Sequence, residues 1–215
     1  MSYILFKAAQ TAEGFTKILS PHCDRFHIAG SIRRRQSMVS DIEIVCTPKK
    51  ELKKDPEKLF DEGTLVISPD FIHVLATITD AIIKGQPEGR YMQIKTKSRI
   101  CPGIYLDLFM PQQDDYYRQL AIRTGSRQYV HHNIASAWTA KGWVGCDKLG
   151  LRRKDDCEPY TSGDKTLWRL RHDRHPDMVA QPPAWKSEAE FFLWLGVAYI
   201  DPQYREYKPT LNEAQ

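Results

Sequence analysis

The stretch Phe26–Val45, FHIAGSIRRRQSMVSDIEIV, constrains this chain more than any other. Its end reads as a strand whose side chains alternate between two faces. Ile42, Ile44 and Cys46 take the face suited to a core. Asp41 and Glu43 must then share the opposite face, a few Å apart. Like charges at about 4 Å repel by about 1 kcal/mol in water and by more in a cleft. A cation between them removes that repulsion. An oxygen-only ligand set favours Mg²⁺ or Mn²⁺ over zinc.

A third carboxylate stands in IYLDLFM, residues 104–110, where Asp107 sits between Leu106 and Leu108. An acid in so apolar a strand is costly unless it is paired or bound to metal. If that strand lies beside 41–47, three carboxylates meet. Two Mg²⁺ (or Mn²⁺) ions can then be held about 3.5–4 Å apart, the arrangement for in-line displacement at phosphorus. Gly30 and Ser31 follow a short strand, where a glycine lets backbone N–H groups approach phosphate closely. The arginines Arg33, Arg34 and Arg35 add fixed positive charge suited to a triphosphate.

Helical spacing of Ile4, Leu5, Ala8, Phe15, Ile18 and Leu19 predicts a helix over 4–20. Strands are predicted at 25–30 and 41–47, and a polar loop over 49–63. A helix is predicted over 70–85, closed by Gly85. Two strands follow, at 90–98 and 104–110, then helices over 114–124 and 128–141. Beyond Gly142 the chain turns short, glycine-rich and strand-like. Ser187 and Glu190 form a capping-box signature, and Gly196 closes the helix they open. The predicted fold class is α+β. A mixed sheet covered by helices occupies residues 1–123, and a small α/β lobe occupies 124–215.

The 215 residues carry a net charge of +4, and the basic side chains bunch. One cluster is Arg152, Arg153 and Lys154, and another runs from Trp168 to His175. Such clusters are the electrostatic footprint of a polyanion binder, which makes Arg152, Arg153 and Lys154 candidate DNA contacts. The tryptophans of the C-terminal lobe are expected in its core. The five cysteines form no C-x-x-C pair, so a reduced, cytoplasmic protein is expected. No run approaches the ~18 apolar residues of a membrane helix, and no signal peptide is expected.

These blocks resemble the nucleotidyltransferase superfamily, with its Gly-Ser pair, spacer and [DE]-x-[DE]. More closely they resemble the family X, or polymerase beta-like, DNA polymerases. AGSIRRRQSMVSDIEIV resembles that family's palm signature and YLDLFM its third-carboxylate strand. IRTGS, residues 122–126, resembles its nucleotide-side turn. SEAEFFLWLGVAYIDPQYRE, residues 187–206, resembles its C-terminal signature. The blocks come in family order.

The resemblance implies a nucleotidyltransferase palm followed by a small thumb-like domain. It implies that Asp41, Glu43 and Asp107 hold two metal ions, with Asp107 nearest the primer 3′ hydroxyl. It places Gly30, Ser31, Arg34 and Ser40 on the triphosphate, and Thr124 and Gly125 beside the sugar. The implied activity is addition of a dNTP to a primer 3′ end on primer–template or gapped DNA, as in short-gap filling or repair. A compact monomer, of a kind found in viruses and mobile elements, is expected. Few residues precede the first strand, so no lyase or helix-hairpin-helix module is expected. Two departures stand out: Glu43 occupies a position where those polymerases carry aspartate, and Ile122–Arg123 replaces an aromatic pair. The alternatives are transfer to a non-DNA acceptor such as tRNA, protein or a small molecule, and a non-enzymatic nucleic-acid-binding relative.

Overall fold

The computed structural model describes residues 1–54, 62–147 and 149–206. The chain separates into two units. The first is Met1–Ser126 together with Asp201–Arg205, and the second holds Arg127–Ile200. The division falls three residues beyond the expected one, and a short C-terminal segment returns to the first unit.

The first unit begins with β1 (Tyr3–Ile4) and α1 (Leu5–Leu19). Next come β2 (Cys23–Ile28), the single turn α2 (Gly30–Arg33), β3 (Met38–Val39) and β4 (Asp41–Pro48). After β5 (Lys50–Lys53) and β6 (Thr64–Ile67) the chain forms α3 (Pro69–Ile78), β7 (Thr79–Gly85), β8 (Tyr91–Thr96) and β9 (Tyr105–Phe109). Helix α4 (Tyr116–Thr124) completes it. Five strands build one sheet in the order β2-β4-β9-β8-β7. Only β4 and β9 run parallel, and the other neighbours are antiparallel. The sheet is therefore mixed, and the fold is α+β.

β4 buries Ile42, Ile44 and Cys46 completely, as its alternation requires. They meet Leu106 and Leu108 of β9, Met92 and Ile94 of β8, and two helices in one apolar cluster. α1 contributes Ala12, Phe15 and Leu19, and α3 contributes Phe71, Leu75 and Ile78. The stripe of α1 differs in detail from the expected one. Ile4 and Ile18 face solvent, while Thr11 and Ala12 are buried beside the expected Ala8, Phe15 and Leu19. Burial selects the stripe that faces the sheet. The opposite face of the sheet is covered only in part. There Val45 and Phe109 pack under Tyr116 and Leu120 of α4, next to Ala29.

Three predicted elements are corrected. The helix predicted over 70–85 stops at Ile78, and Thr79–Gly85 joins the sheet as β7. The β-branched side chains of Thr77, Ile78 and Thr79 disfavour further helix, and β8 offers a full set of backbone partners. The loop predicted over 49–63 contains β5, which pairs with β6 from Lys50↔Ile67 to Lys53↔Thr64. The rest of that prediction, over 55–61, lies outside the described residues. The helix predicted over 128–141 is three pieces: α5 (Arg127–Tyr129), a π-helical turn (Val130–Ala135) and α6 (Ser136–Ala140). Around that turn Asn133 Nδ2 donates to Tyr129 O, and the Ser136 hydroxyl donates to His132 O. Side chains that bond back to the backbone compete with its regular ladder.

The second unit continues with β10 (Trp143–Cys146), β11 (Gly150–Arg153), β12 (Cys157–Ser162), β13 (Lys165–Leu170) and α7 (Glu188–Leu195). The strands form a sheet in the order β11-β10-β13-β12. Trp194 meets both Trp143 and Trp185 edge to face. Trp143 and Trp185 are buried in the core, as expected, whereas Trp138, Trp168 and Trp194 are only half-buried. Ser187 accepts from the Glu190 N–H at 3.1 Å, and Gly196 ends α7 at φ 74°. Among the described residues, no helix is long and apolar enough to cross a membrane.

Candidate active site

The parallel pairing of β4 with β9 sets the register that the sequence could not supply. Glu43 lies directly across from Asp107, and Asp41 lies across from Tyr105. Side chains of paired residues share a face. Asp41, Glu43 and Asp107 therefore stand on the face that the helices α1 and α3 leave open. On the far side of β9, Gln93 is the register partner of Asp107, and Tyr91 that of Phe109.

Gly30 lies against this group. Its φ is 61°, and a Cβ placed there would come within 1.9 Å of Glu43 Oε2. The glycine that the sequence offers as a phosphate cradle is thus also the residue that makes room for a carboxylate. Ser40 donates its hydroxyl to Asp41 Oδ1 at 2.9 Å. Tyr91 donates its hydroxyl to Asp107 Oδ1 at 2.7 Å. Glu43, Tyr91, Asp107, Phe109 and Arg123 line a cleft of about 370 Å³. A second cleft, of about 850 Å³, begins at Asp41 and runs past Gln93, Lys95 and Tyr105.

The arginines after Gly30-Ser31 are engaged with the T-G-S turn. Arg33 Nη1 donates to Thr124 Oγ1 at 2.6 Å, and Arg34 Nη1 donates to Thr124 O at 2.7 Å. Thr124 is fully buried, and the N–H of Gly125 donates to Ala121 O. The Ser126 N–H donates to the carbonyl of Arg205, in the segment that returns from the C-terminus. The expected sugar-side residue Thr124 thus joins the basic loop to α4. Ser31 and Arg34 remain half-buried, and Ser40 is exposed.

Burial pushes the Glu43 carboxyl up to about 7, with Asp41 and Asp107 adding repulsion and Arg123 and Arg34 opposing it. Asp107 is raised as well, first by burial and then by Asp41. Hydrogen bonds from Tyr91 and Gln93 hold it back. Tyr91 is pushed up by burial and by its carboxylate partner. Arg123 is lowered by burial.

A pH dependence follows. The folded-state value of Glu43 lies above its ordinary 4.5, so between those values the native state holds more protons than the unfolded chain. Stability without divalent ions is therefore full below about 4.5 and declines as pH rises to about 7, by on the order of 3 kcal/mol. Glu43→Gln removes this titration. In chelator, thermal unfolding should show the variant gaining on the parent at about pH 8 but not at about pH 5. Equal gains at both values would show that Glu43 is not so perturbed.

Among the described residues, no three His, Cys, Asp or Glu side chains form a cluster at metal-ligating distance. The backbone brings the three acids to one face without closing their side chains into a cage. Their chemistry still fits a hard divalent cation. All the donors are carboxylate oxygens, and each of Glu43 and Asp107 is destabilised as an anion by burial and by neighbouring acid.

Sequence reasoning missed Tyr91, Gln93 and Arg123. Tyr91 and Gln93 alternate in RYMQIKT, but only the register shows that they face Asp107. Arg123 approaches through α4, with its guanidinium 4.0 Å from the centre of the Phe109 ring.

The proposed DNA contacts are corrected in part. Arg152 is only 7% exposed, and its guanidinium donates to the Leu151 carbonyl. β11 turns that side chain inward. Arg153 and Lys154 are exposed, lying over Trp143 and Trp168 respectively. No protein-family model matches the sequence, and no curated protein matches it.

Proposed function

We propose that the protein is a nucleotidyltransferase that adds a dNTP to the 3′ end of a DNA primer and releases pyrophosphate. The observation that carries this reading is the β4/β9 register. It sets Glu43 opposite Asp107, with Asp41 on the same face and Gly30 against Glu43. Asp41, Glu43 and Asp107 would hold Mg²⁺ or Mn²⁺. When bound, such ions neutralise a triphosphate and lower the pKa of an attacking hydroxyl.

The chain's own residues have separate tasks. Tyr91 fixes one oxygen of Asp107, whose side chain lines the cleft. Asp107, made more basic by burial and by Asp41, accepts the proton of the primer 3′ hydroxyl. The 3′ oxygen bonds to the α-phosphorus as the bond to the pyrophosphate oxygen breaks. Arg34 brings a guanidinium whose charge already acts on Glu43. Arg33 and Arg34 together hold the 124–126 turn against the Gly30–Ser31 turn.

Primer extension with each single dNTP, with and without template, tests the reading. Extension should need a divalent ion and be lost in Asp41→Ala. An Asp41→Ala protein that extends like the parent would refute it.

One observation favours the second reading, transfer to an acceptor other than DNA. The second unit is less basic on its surface than its composition suggests. Arg152 is buried, and Arg169, Arg171 and Arg174 pair with Glu158, Asp173 and Asp156. On the DNA reading, Arg153 and Lys154 must therefore carry much of the phosphate contact. Arg153→Glu with Lys154→Glu should weaken primer binding and flatten its salt dependence by about two phosphate contacts. Nucleotide affinity should stay unchanged. An unaltered salt slope would favour the non-DNA acceptor.

A further inference from the structure

Among the described residues that line the acid cleft, Arg123 is the cation, and its chemistry runs against a pair of divalent ions. Its guanidinium shares the cleft lining with Glu43 and Asp107 and is held 4.0 Å from the centre of the Phe109 ring. Its Nε is buried and makes no hydrogen bond among the described residues. A half-buried guanidinium with a buried, unbonded nitrogen is costly unless a neighbouring anion answers its charge. Glu43 and Asp107 line the same cleft and are such anions, and of the two Glu43 acts more strongly on Arg123.

The acids are also partly committed elsewhere. Asp107 Oδ1 accepts from Tyr91, and Asp41 Oδ1 accepts from Ser40. Two hard cations would demand most of the carboxylate oxygens here, since each takes about six ligands. A fixed guanidinium beside Glu43 repels any cation placed between Glu43 and Asp107, and more strongly in a half-buried cleft than in water.

We infer that Arg123 is a resident counter-cation of the acid cluster, so that before substrate arrives the site takes one divalent ion rather than two. This rests on the nucleotidyltransferase reading for the acids and goes beyond it. Arg123 supplies the second positive charge from the protein. The ion that completes the site must then enter with the nucleotide, whose phosphates bring new oxygen ligands. Arg123 is thus a positioning residue that sets the order of metal loading.

The test is a titration of Mn²⁺ alone, with free Mn²⁺ read by its paramagnetic resonance signal, in the absence of nucleotide and DNA. The parent and Arg123→Lys should each hold one ion. Arg123→Met should hold two, or bind its first ion at least about tenfold more tightly. Thermal unfolding confirms that each variant is folded, and Arg123→Gln serves if Arg123→Met is not. Two ions in the parent would overturn the inference and leave the nucleotidyltransferase reading standing. The same count and affinity in all the variants would overturn it too. A parent that binds no Mn²⁺, or binding that survives in Asp41→Ala, would overturn the metal reading of the acids and this inference with it.

Discussion

Asp107→Asn should lose nucleotide incorporation by about 10²–10⁴-fold, the range of a positioned proton acceptor. The same protein should bind Mg²⁺–dNTP within about tenfold of the parent, because the proton is moved only during chemistry. Geometry makes the substitution clean. The amide oxygen of Asn can still accept from Tyr91, whose hydroxyl now sits 2.7 Å from Asp107 Oδ1. Leu106 and Leu108 on either side are fully buried and hold β9 in place. Removing one negative charge also relieves Glu43, which Asp107 pushes upward. The melting temperature without metal should therefore hold or rise. Single-turnover incorporation and nucleotide affinity on one preparation check both parts. Extension at the parent rate would make Asp107 a structural acid.

Gly30→Ala should separate two roles of one glycine. The backbone there has φ 61°, which costs an L-residue about 1–2 kcal/mol. A Cβ would also stand 1.9 Å from Glu43 Oε2 and 3.1 Å from Glu43 Cβ. The carboxylate is the free end of its side chain, so it swings aside and the fold survives. We expect a stability loss of about 1–2 kcal/mol by chemical denaturation. We also expect loss of the rise in melting temperature produced by divalent metal with nucleotide. Gly163 is the control. Its φ is 58°, and a Cβ there meets no described atom within 4 Å. Gly163→Ala should show the backbone cost alone. If Gly30→Ala keeps the full nucleotide-dependent rise, the close packing of Gly30 on Glu43 is not needed for binding.

Much of the first unit was legible because strand alternation is a local property. Ile42, Ile44 and Cys46 could only be core if Asp41 and Glu43 were not, and all three are fully buried. The capping of α7 was legible for the same reason, since Ser187 and Glu190 act within one turn. The end of α3 was not. The stretch PDFIHVLATITDAIIKG is apolar enough for a long helix, and the pairing of Thr79–Gly85 with β8 decided otherwise. The inward turn of Arg152 was equally hidden, because a basic triplet carries no mark of which member its strand buries.

Local order alone puts two carboxylates on one face of a strand, a glycine ahead of them and a third acid in a later apolar strand. Each of these follows from spacing along the chain. Folding adds the rest: β4 and β9 run parallel with Glu43 against Asp107, Tyr91 holds one oxygen of Asp107, and Arg123 brings a cation into the acid cleft. Those are contacts between residues far apart in sequence, and their register depends on which strands pair and how the helices cover them.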